Sequence, residues 1–205
     1  MRIGIDFDNT IACYDGVFHK AAVERGLIPS DVHTDKTSVR NYLREIDREE
    51  AWTELQGYVY GARMDLVAPY PGVKRFVSEA LAGGHSLFII SHKTKSPYLG
   101  PRYDLHDAAR SFLSQQSLVL DGVSGIAPQN AFFEVTLVEK LARIRAQKCD
   151  VFIDDLPELL EESDFPNETR GILFDPLKHY PDGMYKGMRY ESYPDWATIR
   201  QTILH

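Results

Sequence analysis

Short apolar runs alternate along the chain with stretches of helical period. Arg2 to Phe7 reads as a strand. Val73, Phe76, Val77, Ala80 and Leu81 form a helical stripe closed by Gly83-Gly84. Ser86 to Ile90 is a second apolar run, followed by a polar loop through Arg102. A helix from about Tyr103 carries Leu105, Ala108, Ala109, Phe112 and Leu113 on one face. Phe132 to Val135 reads as the third strand, with Leu118 to Leu120 competing for that place. Thr136 and Glu139 make a Thr-x-x-Glu capping box that opens a helix through Ala146. Asp150 to Ile153 and Gly171 to Phe174 are the fourth and fifth strands, and a last helix from about Asp195 turns Trp196, Ile199 and Ile203 inward. Continuously apolar strands alternating with helices predict an α/β fold, a doubly wound parallel Rossmann-like sheet covered on both faces.

One segment breaks the alternation. Val17 to Arg25 reads as a helix stopped at Gly26 with Pro29 beyond, and a second helix runs from about Ser38 to Ile46. There the apolar phase slips, and Asp47 with Glu50 reads as a fresh N-cap for a third helix to about Ala62. No strand pattern stands out between Tyr14 and Tyr70. The expected organisation is a core of residues 1–13 and 71–205, with residues 14–70 inserted after the first strand as a small helical subdomain.

Composition narrows the classes. With 43% hydrophobic and 26% charged residues, the 205-residue chain excludes disorder, collagen and coiled coil. Its 23 Lys and Arg against 30 Asp and Glu leave a net −7 and no long basic run. A broad nucleic-acid or anionic-membrane surface is disfavoured, while a small positive pocket stays open. No stretch approaches the roughly 18 apolar residues that span a bilayer. The first residues run straight into a strand pattern with no room for a signal peptide, so a soluble cytoplasmic protein is expected. Cys13 and Cys149 match no metal spacing and read as small apolar residues of a reducing compartment.

Ligands of an open parallel sheet sit at the carboxyl ends of its strands. After the first strand come Asp6, Asp8, Asn9 and Thr10; after the second come Ser91, His92, Lys93 and Lys95. Lys140 opens the helix after the third strand, and Asp154-Asp155 closes the fourth. Clustered carboxylates repel one another and stay ionised only beside a cation, and hard oxygen ligands select Mg²⁺. A lysine and a serine hydroxyl would hold the remaining oxygens of a phosphoryl group. A carboxylate can attack phosphorus while a second acid protonates the leaving alcohol. The set reads as metal-assisted phosphoryl transfer. The acceptor, water or a second alcohol, stays open.

The run Ile3-Gly4-Ile5-Asp6-Phe7-Asp8-Asn9-Thr10-Ile11, with Leu87 to Ser91, Lys140 and Val151 to Asp155 in that order, resembles the four motifs of the haloacid dehalogenase superfamily. The resemblance implies an Mg²⁺-dependent phosphatase of a small phosphorylated metabolite such as a sugar phosphate or nucleotide. A phosphotransferase or mutase, or an inactive binding member, is the alternative. It implies Asp6 as nucleophile, Asp8 as general acid/base, and Ser91 and Lys140 as phosphoryl ligands. Mg²⁺ would rest on the Asp6 carboxylate, the Asp8 carbonyl and an acid of the fourth motif. The inserted helices look like the family's cap. Its further acid four or five residues beyond that ligand is replaced here by Leu159 or Leu160. Asp155 is therefore expected as direct ligand, with Asp154 behind it or bridging to Lys140, the reverse order being the alternative. Asn9, Thr10, Lys93, Arg40 and Arg44 are the expected substrate contacts.

Overall fold

The computed structural model describes residues 1–122, 124–180 and 189–205. The chain divides into two compact units. The first comprises Met1–Ala12, Pro69–His92 and Ser114–His205; the second comprises Cys13–Ala68 and Lys93–Leu113.

The first unit is a six-stranded parallel sheet. Its strands are β1 (Arg2–Ile5), β4 (Ser86–His92), β5 (Ala131–Glu134), β6 (Val151–Asp154), β7 (Arg170–Phe174) and β8 (Tyr190–Tyr193), in the order β5-β4-β1-β6-β7-β8. β1 pairs with β4 (Ile3 opposite Leu87) and with β6 (Ile3 opposite Val151), so it lies at the centre. Ile3 and Ile5 on one face of β1 have no exposed surface, and on the other face Gly4 is buried against Phe152, as expected for a strand covered on both faces. One face carries Phe88, Ile90, Phe152 and Leu173 against Leu141 and Ile144 of α6 (Leu137–Ala146). Near Trp196, at the start of α8 (Trp196–Leu204), ring centroids lie 5.0 Å from Phe76 of α4 (Val73–Ala82) and 5.7 Å from Phe174. Thr136 and Glu139 form the reciprocal capping box of α6.

Several boundaries differ from the periodic reading. The third strand is Ala131–Glu134, whereas Val119 makes only an isolated bridge to Ile126. The fourth strand is displaced by one residue, so Asp154 is its last member and Asp155 the first residue beyond. β8 has no counterpart in the periodic reading, because four half-buried edge residues alternate too briefly to register. After β6, a short α7 (Pro157–Leu160) buries Leu159 and Leu160, the two places where the resemblance leads one to look for an acid.

The second unit holds α1 (Val17–Glu24), α2 (Lys36–Glu45), α3 (Glu49–Ala62) and most of α5 (Leu105–Gln115). The two-residue strands β2 (Ala12–Cys13) and β3 (Ala68–Pro69) pair at the two ends of the insertion. α2 starts two residues before Ser38, because the Asp35 carboxylate caps it by accepting from the Ser38 amide at 2.8 Å. Asp47 does not cap α3. It adopts a left-handed φ of 56° and closes α2 instead, its amide donating to Arg44 while the Arg48 amide donates to Leu43. That is the pairing of a Schellman stop, and it displaces the start of α3 to Glu49. Among the described residues no helix is long and apolar enough to cross a membrane.

Candidate active site

The chain order folds into a sheet whose direction of winding reverses around β1 and β6, and such a reversal opens a crevice at the carboxyl ends of the strands. Asp6 follows β1 immediately, its amide donating to the Ile153 carbonyl at 2.9 Å. The next residues turn tightly. Asn9 has a φ of 57° and donates to Ala12, while Ile11 and Ala12 both donate to the Phe7 carbonyl. The Trp196 indole donates to the Thr10 carbonyl at 3.1 Å, which ties this turn to α8.

Lys140 is the hub of the crevice. Its side chain is buried, and Nζ donates to Asp6 Oδ1 and Asp154 Oδ2, each at 2.6 Å. The second Asp154 oxygen accepts from the Leu156 amide at 3.0 Å. Asp155 stands differently: its Oδ1 accepts the Thr10 hydroxyl at 3.3 Å. Ligand oxygens of Asp6, Asp154 and Asp155 all lie within 4.8 Å of one another. This all-oxygen set fits a hard divalent cation. Ser91 is buried near the end of β4, paired in register with Phe133. Asp8 is half-buried and outside the trio of carboxylates, in an isolated bridge with Ala12.

Burial governs the protonation of this cluster. It lifts the Asp6 carboxyl to about 7; Lys140 opposes the rise, while Asp154 and then Asp8 reinforce it. Burial, Asp154 and Asp6 likewise push Asp155 well above the carboxylate range. Burial alone would depress the Lys140 ammonium, but the Asp154 and Asp6 charges outweigh it and hold it above the ordinary lysine value.

The structure thus brings Asp6, Lys140, Asp154 and Asp155 together, with Thr10 bonded to Asp155. Lys93, Arg40 and Arg44 belong to the second unit. Both guanidinium bonds of Arg44 go to Glu49, Nε–Oε2 at 2.5 Å and Nη2–Oε1 at 2.8 Å. Arg40 bonds its neighbour Asn41 at 3.4 Å. A further buried acid, Asp175, accepts the His179 amide at 3.0 Å and the Tyr180 amide at 2.6 Å. The run Leu173-Phe174-Asp175 carries the same strand-then-acid signal as β1.

A parallel sheet with an ammonium and three acids at its central strand ends is a Rossmann-like α/β core. Its fold is that of haloacid dehalogenase-superfamily hydrolases. A superfamily hydrolase from Ehrlichia chaffeensis has a TM-score of 0.52 at 16% identity, over 99% of this chain and 95% of that one. A haloacid dehalogenase-like hydrolase from Xanthomonas campestris reaches 0.56 at 12%, over 100% and 94%. One from Burkholderia xenovorans reaches 0.55 at 11%, over 98% and 95%. No family model and no curated protein matches the sequence.

Proposed function

We propose that the protein is a phosphatase that hydrolyses a small phosphomonoester through an aspartyl-phosphate on Asp6. The observation that carries this reading is the Lys140 ammonium held between two buried acids with a third within reach. The Asp6 carboxylate attacks phosphorus and the ester P–O bond breaks. Asp8 gives its proton to the departing alkoxide. Water then attacks the acyl phosphate, Asp8 takes the proton, and the bond to Asp6 breaks to free inorganic phosphate. Lys140 orients Asp6 and holds positive charge beside the phosphoryl oxygens, while Ser91 donates to one of them. Asn9, Thr10 and Lys93 complete the proposed contacts.

Mg²⁺, held by Asp6, Asp155 and the Asp8 carbonyl, would supply charge neutralisation of the phosphoryl group. Asp154 fits the supporting role, because both of its oxygens already accept hydrogen bonds. A screen of phosphorylated sugars, nucleotides and small acids with Mg²⁺ tests the reading. No turnover of any of them, or full turnover after exhaustive chelation, rejects it.

Two finer outcomes follow. Asp8→Asn should slow an alkyl phosphate more than an activated aryl phosphate, because only the poor leaving group depends on a proton. Equal losses would make Asp8 an organising group and not the acid. Mg²⁺ affinity should rise with pH through about 7, because the raised Asp6 carboxyl, and Asp155 beside it, must give up their protons to hold the ion. The sign follows from the raised Asp6 carboxyl. Its protonated form stabilises the metal-free fold fully below about 4, and that contribution is lost as pH rises through about 7. Calorimetric titration between pH 5.5 and 8 reads this directly; a flat affinity removes Asp6 from the ligand set.

A further inference from the structure

Trp196, the first residue of α8, has no exposed surface. Its ring lies against Phe76 and Phe174, and a Cβ at Gly72 would come within 3.0 Å of the Trp196 Cβ, so the indole has little room to turn. An indole N–H donates and cannot accept, and this one goes to the Thr10 carbonyl at 3.1 Å. Thr10 is fully buried, and its hydroxyl donates to Asp155 Oδ1 at 3.3 Å. The two bonds meet on one residue and join α8 to the acid that follows β6. Trp196, Thr10 and Asp155 all belong to the first unit.

Thr10 is suited to pass position from one bond to the other. A β-branched side chain has few χ1 states, so fixing the backbone fixes where the hydroxyl sits. That backbone follows Asn9, whose φ of 57° is a left-handed conformation that a residue other than glycine keeps at some cost, held by its surroundings. The Tyr70 amide secures the same turn at the Ile11 carbonyl, 2.9 Å away, and the indole secures it at Thr10 itself. A hydroxyl bonded to one carboxylate oxygen orients the whole group, and such supporting bonds set how well an acid meets a cation. We propose that Trp196 is a positioning residue for the crevice: by holding the Thr10 carbonyl, α8 sets the direction in which Asp155 presents its carboxylate. The inference rests on the reading of Asp155 as a direct Mg²⁺ ligand given above.

The test titrates Mg²⁺ alone by calorimetry at pH 8 into the wild type, Trp196→Phe, Thr10→Val and Phe76→Leu. Trp196→Phe keeps an aromatic ring in the cluster and loses the N–H, whereas Thr10→Val keeps the carbonyl bond and loses the hydroxyl. Phe76→Leu loosens the same cluster and leaves the N–H in place. Thr10→Val should bind Mg²⁺ about tenfold more weakly than wild type, and Trp196→Phe about fivefold. The double variant should bind no more weakly than Thr10→Val alone, and Phe76→Leu should stay within about twofold of wild type. The chain has two tryptophans, so the Trp196 indole N–H resonance is identified in NMR spectra by its loss in Trp196→Phe. It should move on Mg²⁺ addition in the wild type and stay in place in Thr10→Val. That resonance and Thr10→Val carry the test should Trp196→Phe fail to fold. Wild-type affinity in Trp196→Phe overturns the inference, as does a Phe76→Leu that binds as weakly as Trp196→Phe, or a Trp196 resonance that ignores the metal. A wild type that binds Mg²⁺ but hydrolyses no ester refutes the phosphatase reading and leaves this comparison intact. One that binds no Mg²⁺ overturns both.

Discussion

Asp6→Asn is expected to abolish turnover, by several orders of magnitude, in a protein that stays folded. The amide oxygen still accepts from Lys140 and keeps the side chain's volume, but the nitrogen cannot attack phosphorus, so the covalent route closes. Stability should not fall. Burial already lifts the Asp6 carboxyl to about 7, so at pH 8 the wild type keeps a charge in the crevice that the variant lacks. The variant should therefore melt at or above the wild-type temperature in metal-free buffer. Near-normal hydrolysis by a sequence-verified Asp6→Asn would falsify the nucleophile assignment.

Lys140→Met should have the largest effect on stability. Methionine fills a similar volume but leaves Asp6 and Asp154, both buried, without the cation that each contacts at 2.6 Å. Removing one partner of such a network costs about 3–5 kcal/mol, because the remaining charges stay desolvated. For a chain of this size that corresponds to a fall of about 10 °C in melting temperature. The loss should be smaller at pH 5, where Asp6 takes up a proton and one uncompensated charge disappears. Thermal melts at pH 5 and pH 8 without metal decide it. Lys140→Arg, which keeps a cation, separates charge from shape. Equal melting temperatures for wild type and Lys140→Met at both values would mean that the ammonium does not hold the acids together.

Much of the core was legible in one dimension, because it depends on local rules. The apolar run through Ile3, Gly4 and Ile5 reads as a buried strand, which sets Asp6 just beyond its end. Thr136 and Glu139 cap their helix within three residues. Non-local contacts had to decide the rest. By helical period Lys140 is one more charge among Glu139, Arg143 and Arg145. Folding buries it by bringing it to an acid 134 residues away in the chain. Asp154 and Asp155 are identical in local sequence terms, and they diverge because one is the last residue of β6, bonded to Lys140, while the other meets Thr10. Asp47 has the composition of an N-cap but closes α2, since a left-handed turn satisfies the α2 carbonyls of Leu43 and Arg44. Lys93 follows a core strand by one residue, yet it packs with the inserted helices against Tyr60. A residue pattern records which side chains avoid water. Which buried charge meets which is decided only when distant strand ends converge, because each must find its partner to offset the cost of desolvation.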